Sequence, residues 1–197
     1  EDMFQENYYA IESTKISVDK NIELMKVTPD NSTLVFLGHG HSSGLYSPES
    51  NNFAKKIIID VKLGDEIFKN KDIILLSCNS NQYIRKIKKF NKIIGFGNIL
   101  SSMTEVSIEA EYSTGNYRNI NDVDIDFFNR TYTEAIIHVL KELMEDKITF
   151  EDIPKSIEFY INIEINKTLL NKSLKNRIEI SQLLFEFRNE MLFIKNA

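Results

Sequence analysis

Three short runs of consecutive apolar residues stand out in the first half of the chain. They occupy positions 34–37, 73–76 and 93–96, and turn-forming residues bound each of them. Apolar runs that do not alternate with polar residues are typical of strands buried on both faces of a parallel sheet. Helical patterns lie between and around these runs. Helices that alternate with buried strands predict a three-layer α/β fold, in which a mainly parallel sheet is flanked by helices.

The spacing of apolar residues also predicts where helices lie in the first half. A helix is expected over 19–27 with Ser17 as its N-cap, and a short helix over 65–70. The basic residues at 85–89 interleave with apolar ones between Tyr83 and Phe90. That spacing predicts a helix with a buried face and a solvated basic face, not a phosphate-binding surface.

The second half of the chain is predicted to be mainly helical. Thr131 and Glu134 have the spacing of a capping box, so the clearest helix is expected to begin there. Another helix is expected over 155–170. Beyond it the pattern fits either one long helix or a helix followed by a strand at 191–194. Because no repeat or linker interrupts the sequence, we expect a single domain over residues 1–197.

Composition and charge exclude several functions. The net charge is −5, which does not favour contact with nucleic acid, and no apolar run approaches the roughly 20 residues of a membrane span. Cys78 is the only cysteine, which suits a reducing cytoplasm. The abundance of Ile, Lys and Asn suggests an AT-rich microbial gene. We therefore expect a microbial cytoplasmic protein that contacts neither membrane nor nucleic acid.

Chemically competent residues follow the first two apolar runs directly. The first run leads into Gly-His-Gly-His-Ser-Ser-Gly at 38–44, and the second into Ser-Cys-Asn-Ser at 77–80. Groups beyond the carboxyl ends of neighbouring parallel strands share one crevice, which is where such folds bind ligands. The sequence therefore predicts that His39 and Cys78 face each other, although many residues separate them in the chain.

A cysteine nucleophile needs help to ionise, and the sequence offers it. A thiol with a pKa of about 8.5 is mostly protonated at neutral pH, so it needs a base or a positive field nearby. His39 can act as that base, and a helix that begins near Ser80 would direct its positive end at the sulfur. The N–H groups of Gly40 and Cys78 are candidate donors to an oxyanion.

Other residues around these motifs are assigned weaker roles. His41, Ser77 and Asn79 are expected to line the site and contact the substrate. His39 and His41 form an H-x-H pair, but a zinc site needs further ligands, and the one other histidine, His138, falls within a predicted helix. We therefore predict no metal.

A calcium site is also considered, because Asp122, Asp124 and Asp126 alternate along the chain. An EF-hand loop needs glycine at its sixth position and an acid at its twelfth, and here Phe127 and Thr133 occupy them. The motif fails. The alternating apolar residues between these acids instead suggest an extended or edge segment with its carboxylates in water. No cofactor is predicted.

Together these motifs resemble those of a known peptidase group. An apolar strand followed by His-Gly, and a later one followed by Ser-Cys, resembles clan CD, which includes caspases, gingipains, separases and bacterial CHAT-domain peptidases. The stretch 36–40, with Gly44 and Tyr46, is most similar to the separase and CHAT branches. Residues 93–97 are similar to the strand-and-glycine element that follows the cysteine in CHAT proteins. The resemblance covers 17–147.

The resemblance implies a caspase-like fold and a cysteine endopeptidase that cleaves a protein substrate without a cofactor. Cys78 would be the nucleophile, His39 the general base or acid, and Gly40 a donor in the oxyanion hole. Regulation by a sensor domain or an activating protein partner is implied as well. Family members place another strand and helix ahead of the element assigned to 7–14. We therefore interpret the chain as a fragment of a longer polypeptide that lacks this strand and helix.

Two alternatives to an active peptidase remain. The chain could be a catalytically inactive caspase-like interaction domain, although such a domain would be expected to lose His39, Gly40 or Cys78, and all three are present. A flavodoxin-like nucleotide-binding domain would need a glycine-rich phosphate loop after a strand, and the sequence has none.

Overall fold

The computed structural model describes residues 7–112, 117 and 119–196. These residues group into two compact units, which are considered separately. The first unit takes residues up to Gly95 and then resumes at Leu192, whereas the second takes Phe96–Met191.

The first unit carries the strands. In chain order its helices and strands are α1 (Lys15–Val27), β1 (Thr33–Leu37), β2 (Gly40–His41), β3 (Gly44–Tyr46), β4 (Ile57–Asp60), α2 (Val61–Ile67), β5 (Asp72–Leu76), α3 (Ser80–Ile84), β6 (Lys92–Gly95) and β7 (Leu192–Lys195).

The larger sheet of this unit confirms the predicted mixed α/β class. Its strand order is β1-β5-β6-β7, with β1, β5 and β6 parallel and β7 antiparallel to β6. The three apolar runs are the three parallel strands. In β5, the consecutive residues Ile73, Ile74 and Leu75 are all buried, so side chains on both faces are covered. This is the arrangement that a non-alternating apolar run favours.

A second, smaller sheet was not predicted. It has the order β2-β3-β4 and is antiparallel throughout. The segment that follows β1 therefore forms a hairpin, in which His41 pairs with Gly44 across Ser42 and Ser43. Strands of two and three residues are too short to leave a periodic pattern, which is why the sequence did not reveal them.

The helices of the first unit begin elsewhere than predicted. The N-cap of α1 is Thr14, whose hydroxyl accepts a hydrogen bond of 3.1 Å from the N–H of Ser17. The prediction of Ser17 as the cap was therefore wrong. The next helix, α2, begins at Val61 because Asp60 caps it, with Oδ1 2.8 Å from the N–H of Leu63. It lies earlier than the predicted range of 65–70.

The core of the first unit packs between the larger sheet and its neighbours. Its buried members include Leu34 and Phe36 from β1, and Ile73 and Leu75 from β5. Side chains of all three helices join them: Val18 of α1, Ile67 of α2 and Tyr83 of α3 are buried in the same cluster. The sheet edge that carries the candidate site is thereby built on a continuous apolar base.

The second unit is helical. Its elements are α4 (Met103–Tyr112), α5 (Asp122–Met144), a short 3₁₀ helix (Phe150–Asp152), α6 (Ile153–Leu170) and α7 (Arg177–Asn189). The predicted helix over 155–170 is confirmed as α6. The ambiguity beyond it is resolved as a helix followed by a strand, α7 and then β7.

The start of α5 corrects two predictions. The capping box is formed by Asn121 and Asp124, with the Asn121 side chain accepting from the backbone and Asp124 accepting from the Asn121 N–H at 3.1 Å. Thr131 lies inside the helix, where its hydroxyl donates to the carbonyl of Phe127. The acids at 122–126 thus open a helix instead of an extended segment. Asp124 is buried and also accepts from Asn176.

Stacked aromatic rings fill the centre of the second unit. Phe187 of α7 stacks on Phe96 at 5.0 Å and on Tyr132 of α5 at 4.9 Å, measured between ring centroids. Within the described part of the chain, no helix is both long enough and apolar enough to cross a membrane.

Candidate active site

Strand register brings the two predicted catalytic residues to the same edge of the sheet. In the parallel pair of β1 and β5, Leu37 is the register partner of Leu76. The ladder continues one step, because the N–H of Gly38 donates to the carbonyl of Leu76 at 3.3 Å. His39 and Cys78 each follow this matched pair by two residues. Both residues therefore lie just beyond the carboxyl ends of neighbouring parallel strands, and the prediction that their side chains face each other stays a prediction.

The glycine after His39 lies directly on the segment that carries Cys78. A Cβ atom placed on Gly40 would be 2.6 Å from Ser77 Oγ and 2.8 Å from the carbonyl oxygen of Cys78. Real Cβ atoms do not approach other atoms so closely, so this position requires glycine. The contact also shows that the histidine and cysteine segments touch through their backbones.

The hairpin fixes the direction of the Gly40 N–H. The N–H of Tyr46 donates to the carbonyl of His39 at 2.9 Å, and Gly40 is paired with Leu45 one step further along. Antiparallel pairs alternate between hydrogen-bonded and non-hydrogen-bonded, so the Gly40–Leu45 pair is of the second kind. The N–H of Gly40 therefore points away from β3. Because β2 is an edge strand of its sheet, this donor faces outward and can serve an oxyanion.

The cysteine lies on a sharp turn from strand to helix. Asn79 has left-handed backbone angles, φ 55° and ψ 20°, and is the N-cap of α3 without a capping bond from its side chain. The hydroxyl of Ser80 contacts the carbonyl oxygens of Leu75 and Ser77 at 2.7 and 2.8 Å, which holds the turn closed. Cys78, at the apex, is half-buried.

The predicted helix at Ser80 does begin there, but it is short. α3 ends at Ile84, so Lys86 and the other basic residues after it lie beyond the helix and not on its face. α3 has only five residues, and the N–H groups of Ser80 and Gln82 in its first turn already donate to the carbonyls of Ser77 and Asn79 at 3.3 and 3.2 Å. A long helix would add a larger macrodipole.

Two contacts hold α3 in place. Gly95 of β6 lies beneath the start of the helix, where an added Cβ would be 2.8 Å from the carbonyl of Ser80. On the other side, the buried Tyr83 hydroxyl donates to the carbonyl of Asp60 at 3.0 Å, just ahead of α2. Burial raises the pKa of Tyr83 above its ordinary value, and the nearby carboxylates of Asp60 and Asp65 raise it further.

The hairpin is tied to the same region. α3 contacts both β2 and β3, and the ammonium of Lys86 donates to the carbonyl of Ser42 at the hairpin turn. Sequence reasoning assigned Lys86 only to a solvated face and missed this role. The signal that could have found the turn is the pair of serines between His41 and Gly44.

The other histidines have their own surroundings. His41 is exposed on the hairpin, with Nδ1 2.8 Å from Ser43 Oγ and its ring tilted against Tyr46 at a centroid distance of 6.3 Å. His138 belongs to α5 in the second unit, where its ring stacks on Tyr160 at 5.3 Å. Among the residues that the structure describes, no group of three or more His, Cys, Asp or Glu side chains is placed to hold a metal.

The predicted substrate contacts differ in exposure. Asn79 is half-buried and His41 exposed, whereas Ser77 is 1% exposed. The Ser77 hydroxyl makes no hydrogen bond with any described residue and faces Gly40. A substrate contact for these three residues stays a prediction, and for Ser77 it would require access behind Gly40.

No family model, curated protein sequence or solved structure matches this chain. The caspase-like resemblance therefore depends on the motifs around His39 and Cys78 and on where the sheet places them.

Proposed function

We propose that this chain is a caspase-like cysteine endopeptidase in which His39 and Cys78 form the catalytic dyad. The observation that carries the proposal is the register of β1 and β5, which sets both residues two positions beyond the matched pair Leu37 and Leu76. The contact of Gly40 with the Ser77–Cys78 segment supports it, because it joins the two motifs through their backbones.

The proposed reaction uses groups that this chain supplies. His39 takes the proton of the Cys78 thiol, and the sulfur attacks the carbonyl carbon of the scissile peptide. The oxyanion that forms is stabilised by the N–H groups of Gly40 and Cys78. When the intermediate collapses, the carbon–nitrogen bond breaks and His39 returns the proton to the leaving amine. A thioester with Cys78 remains.

The second half of the reaction regenerates the enzyme. His39 takes a proton from water, whose oxygen attacks the thioester carbonyl. The same two N–H groups stabilise the second oxyanion. Collapse breaks the carbon–sulfur bond, releases a carboxylic acid and returns the proton to the Cys78 sulfur.

Regulation by a partner or sensor domain belongs to the same proposal. Leu37, immediately before the histidine motif, is 57% exposed although it is apolar. A single exposed leucine is not a docking surface by itself, so this part of the proposal depends on the family resemblance. The proposal also includes the finer caspase-like architecture, a bacterial origin and action in the cytoplasm.

The proposal is tested with a peptide library derived from a bacterial proteome. The purified chain is incubated with the library, and new amino termini are identified by mass spectrometry. We expect cleavage after a restricted set of residues, and none with Cys78→Ala. If this chain and a longer form of it both leave the library intact while binding a protein partner, the inactive interaction domain is the correct assignment.

A further inference from the structure

A pocket of about 490 Å³ lies where strands β5 and β6 of the larger sheet begin, whereas Cys78 follows the end of β5. Its lining includes no acidic residue from the described part of the chain, whereas five lysines line it: Lys69, Lys88, Lys89, Lys92 and Lys195. The chain as a whole carries a net charge of −5, so this concentration of positive charge runs against its overall composition. Like charges brought together in a concave surface raise the local potential and attract anions.

The backbone of this lysine pocket is held in place without its lysine side chains. The N–H of Asn91 donates to the carbonyl of Lys71 at 2.9 Å, and the N–H of Asn196 donates to the carbonyl of Asn91 at 2.9 Å. The side-chain amide of Asn196 donates to the carbonyls of Phe90 and Lys88 at 2.9 and 3.0 Å. The segments before β5, before β6 and after β7 are therefore joined into one preformed wall.

Three of the five pocket lysines have no acidic partner among the described residues. Lys92 pairs with Asp72 at 3.4 Å. Asp65 uses Oδ1 to accept from the backbone N–H groups of Lys88 and Lys89, at 2.6 and 3.2 Å, and forms no ion pair with their ammonium groups. Lys69, Lys88 and Lys89 are exposed and form no ion pair with any residue in the described part of the chain.

We propose that the lysine pocket binds a small polyanion carrying two or more phosphate groups. Its volume lies within the range of about 300–1,000 Å³ typical of small-molecule sites. Lysine ammonium groups bind phosphate as point charges, and several of them around one cavity match several phosphates on one ligand. A nucleic-acid strand is a poorer match, because it needs exposed aromatic rings for stacking, and the aromatic residue here, Phe90, is buried.

The lysine pocket is separate from the proposed active site. It lies where β5 and β6 begin, whereas Cys78 follows the end of β5. At about 3.3 Å per residue, the path along β5 from Asp72 to Cys78 spans roughly 20 Å. The binding proposal therefore does not depend on the peptidase proposal, and each can fail without the other.

The test is titration calorimetry of the full chain with inorganic tripolyphosphate at low ionic strength, with inorganic orthophosphate and a short single-stranded oligonucleotide as comparison ligands. We expect saturable binding of tripolyphosphate near one site per chain. Orthophosphate should bind at least about tenfold more weakly because it carries less charge. Added salt should weaken the binding, since the exposed ammonium groups are screened.

Matched variants locate the site. Lys69→Gln/Lys88→Gln/Lys89→Gln removes three pocket charges at exposed positions and should weaken tripolyphosphate binding by at least about tenfold. The control variant makes the same change in net charge at exposed positions elsewhere, Lys15→Gln/Lys172→Gln/Lys175→Gln. Its affinity for tripolyphosphate should stay within about twofold of that of the unaltered chain.

Three outcomes would overturn the proposal. One is no binding of tripolyphosphate by the folded chain. Another is an equal loss of tripolyphosphate affinity in both triple variants, which would mean that binding depends only on net charge. The third is an oligonucleotide that binds more tightly than tripolyphosphate and depends on the same pocket lysines, which would assign the surface to nucleic acid.

Discussion

Leu37 and Leu76 are register partners at the carboxyl ends of two neighbouring parallel strands. Since each is followed two residues later by a residue of the proposed dyad, the pairing of two apolar side chains determines where His39 and Cys78 lie. The catalytic proposal therefore depends on strand alignment. A register shift of one residue between β1 and β5 would displace one motif relative to the other by about 3.3 Å along the strand axis.

The dyad predicts which single substitutions abolish cleavage. We expect Cys78→Ala and His39→Ala each to reduce proteolysis to background, because members of a catalytic unit fail together and not additively. His41→Ala and His138→Ala should keep most activity, since those rings contact Ser43 and Tyr160 respectively. The measurement is the cleavage rate of one substrate identified from the library, with circular dichroism to confirm folding. A dead His41→Ala with an active His39→Ala would assign the base to the other histidine.

The reactivity of the thiol gives an independent prediction. Cys78 is the only cysteine, so iodoacetamide labelling reports on it alone. If His39 and the first turn of α3 both stabilise the thiolate, alkylation should proceed at a pH well below the pKa of an ordinary thiol, about 8.5. His39→Ala should slow the reaction, whereas His41→Ala should not.

This experiment is run on the chain alone and again with a longer form or an activating partner. Slow alkylation that does not depend on His39 in both states would contradict the enzyme proposal. Such a result would instead favour an interaction domain with a structural cysteine.

The contact between Gly40 and Ser77 predicts a position that tolerates no side chain. Gly40→Ala would force its Cβ against Ser77 Oγ and the Cys78 carbonyl, and we expect a loss of about 1–3 kcal/mol in the free energy of unfolding, together with loss of activity. Gly38→Ala is the matched control, because its nearest contacts are ring atoms of Phe36 at 3.3 Å, which can adjust. Chemical denaturation measures both.

A double substitution tests whether Ser77 is the obstacle. Ser77→Ala alone removes a buried hydroxyl that has no hydrogen-bond partner among the described residues, and should leave the free energy of unfolding unchanged or raise it. Combined with Gly40→Ala, it should recover part of the loss, because Ser77 Cβ and the Cys78 carbonyl remain close. Full additivity of the two changes would show that the contact is not the cause.

The raised pKa of Tyr83 predicts how stability changes with alkaline pH. A folded-state pKa above the unfolded value of about 10 means that the stabilisation is complete below that pH and is lost as pH rises beyond it. Tyr83→Phe should lower the free energy of unfolding by about 0.5–1.5 kcal/mol near neutrality, because the hydrogen bond to Asp60 is gone. It should also flatten the fall in stability above pH 10.

Denaturant unfolding at neutral and alkaline pH measures both effects. In Tyr83→Phe the free energy of unfolding should still fall above pH 10, but less steeply. Part of the fall remains because burial and Glu186 also raise the pKa of Tyr117 in the second unit. Tyr8→Phe, at an exposed position, is the control. It should change neither the free energy of unfolding at neutral pH nor its fall at alkaline pH. An unaltered alkaline slope in Tyr83→Phe would contradict the prediction.

The features that the sequence predicted are those that follow from local composition. Continuous apolar runs identified the three parallel strands because residues such as Ile73, Ile74 and Leu75 must be covered on both faces. Chain direction alone predicted that the His39 and Cys78 motifs follow neighbouring parallel strands at the same end of the sheet, and the register of β1 and β5 shows this; that the two side chains face each other stays a prediction.

The features that sequence reasoning missed depend on contacts between residues distant in sequence or on very short strands and helices. The start of α5 was misplaced because Thr131 and Glu134 match a capping box as well as Asn121 and Asp124 do. Asp124 is held in addition by Asn176, more than fifty positions away. Likewise, the need for glycine at position 40 arises from Ser77, which no local pattern connects to it.

The last strand has a consequence for how the chain acquires its structure. β7 completes the sheet beside β6, yet Lys92 and its partner Lys195 are roughly 100 residues apart in sequence, and closing such long-range pairs is slow. During synthesis, β6 therefore leaves the ribosome long before β7 and exposes an unpaired strand edge meanwhile. A truncation that removes only the last few residues, remote from Cys78 in sequence, would leave that edge open permanently and expose the chain to aggregation.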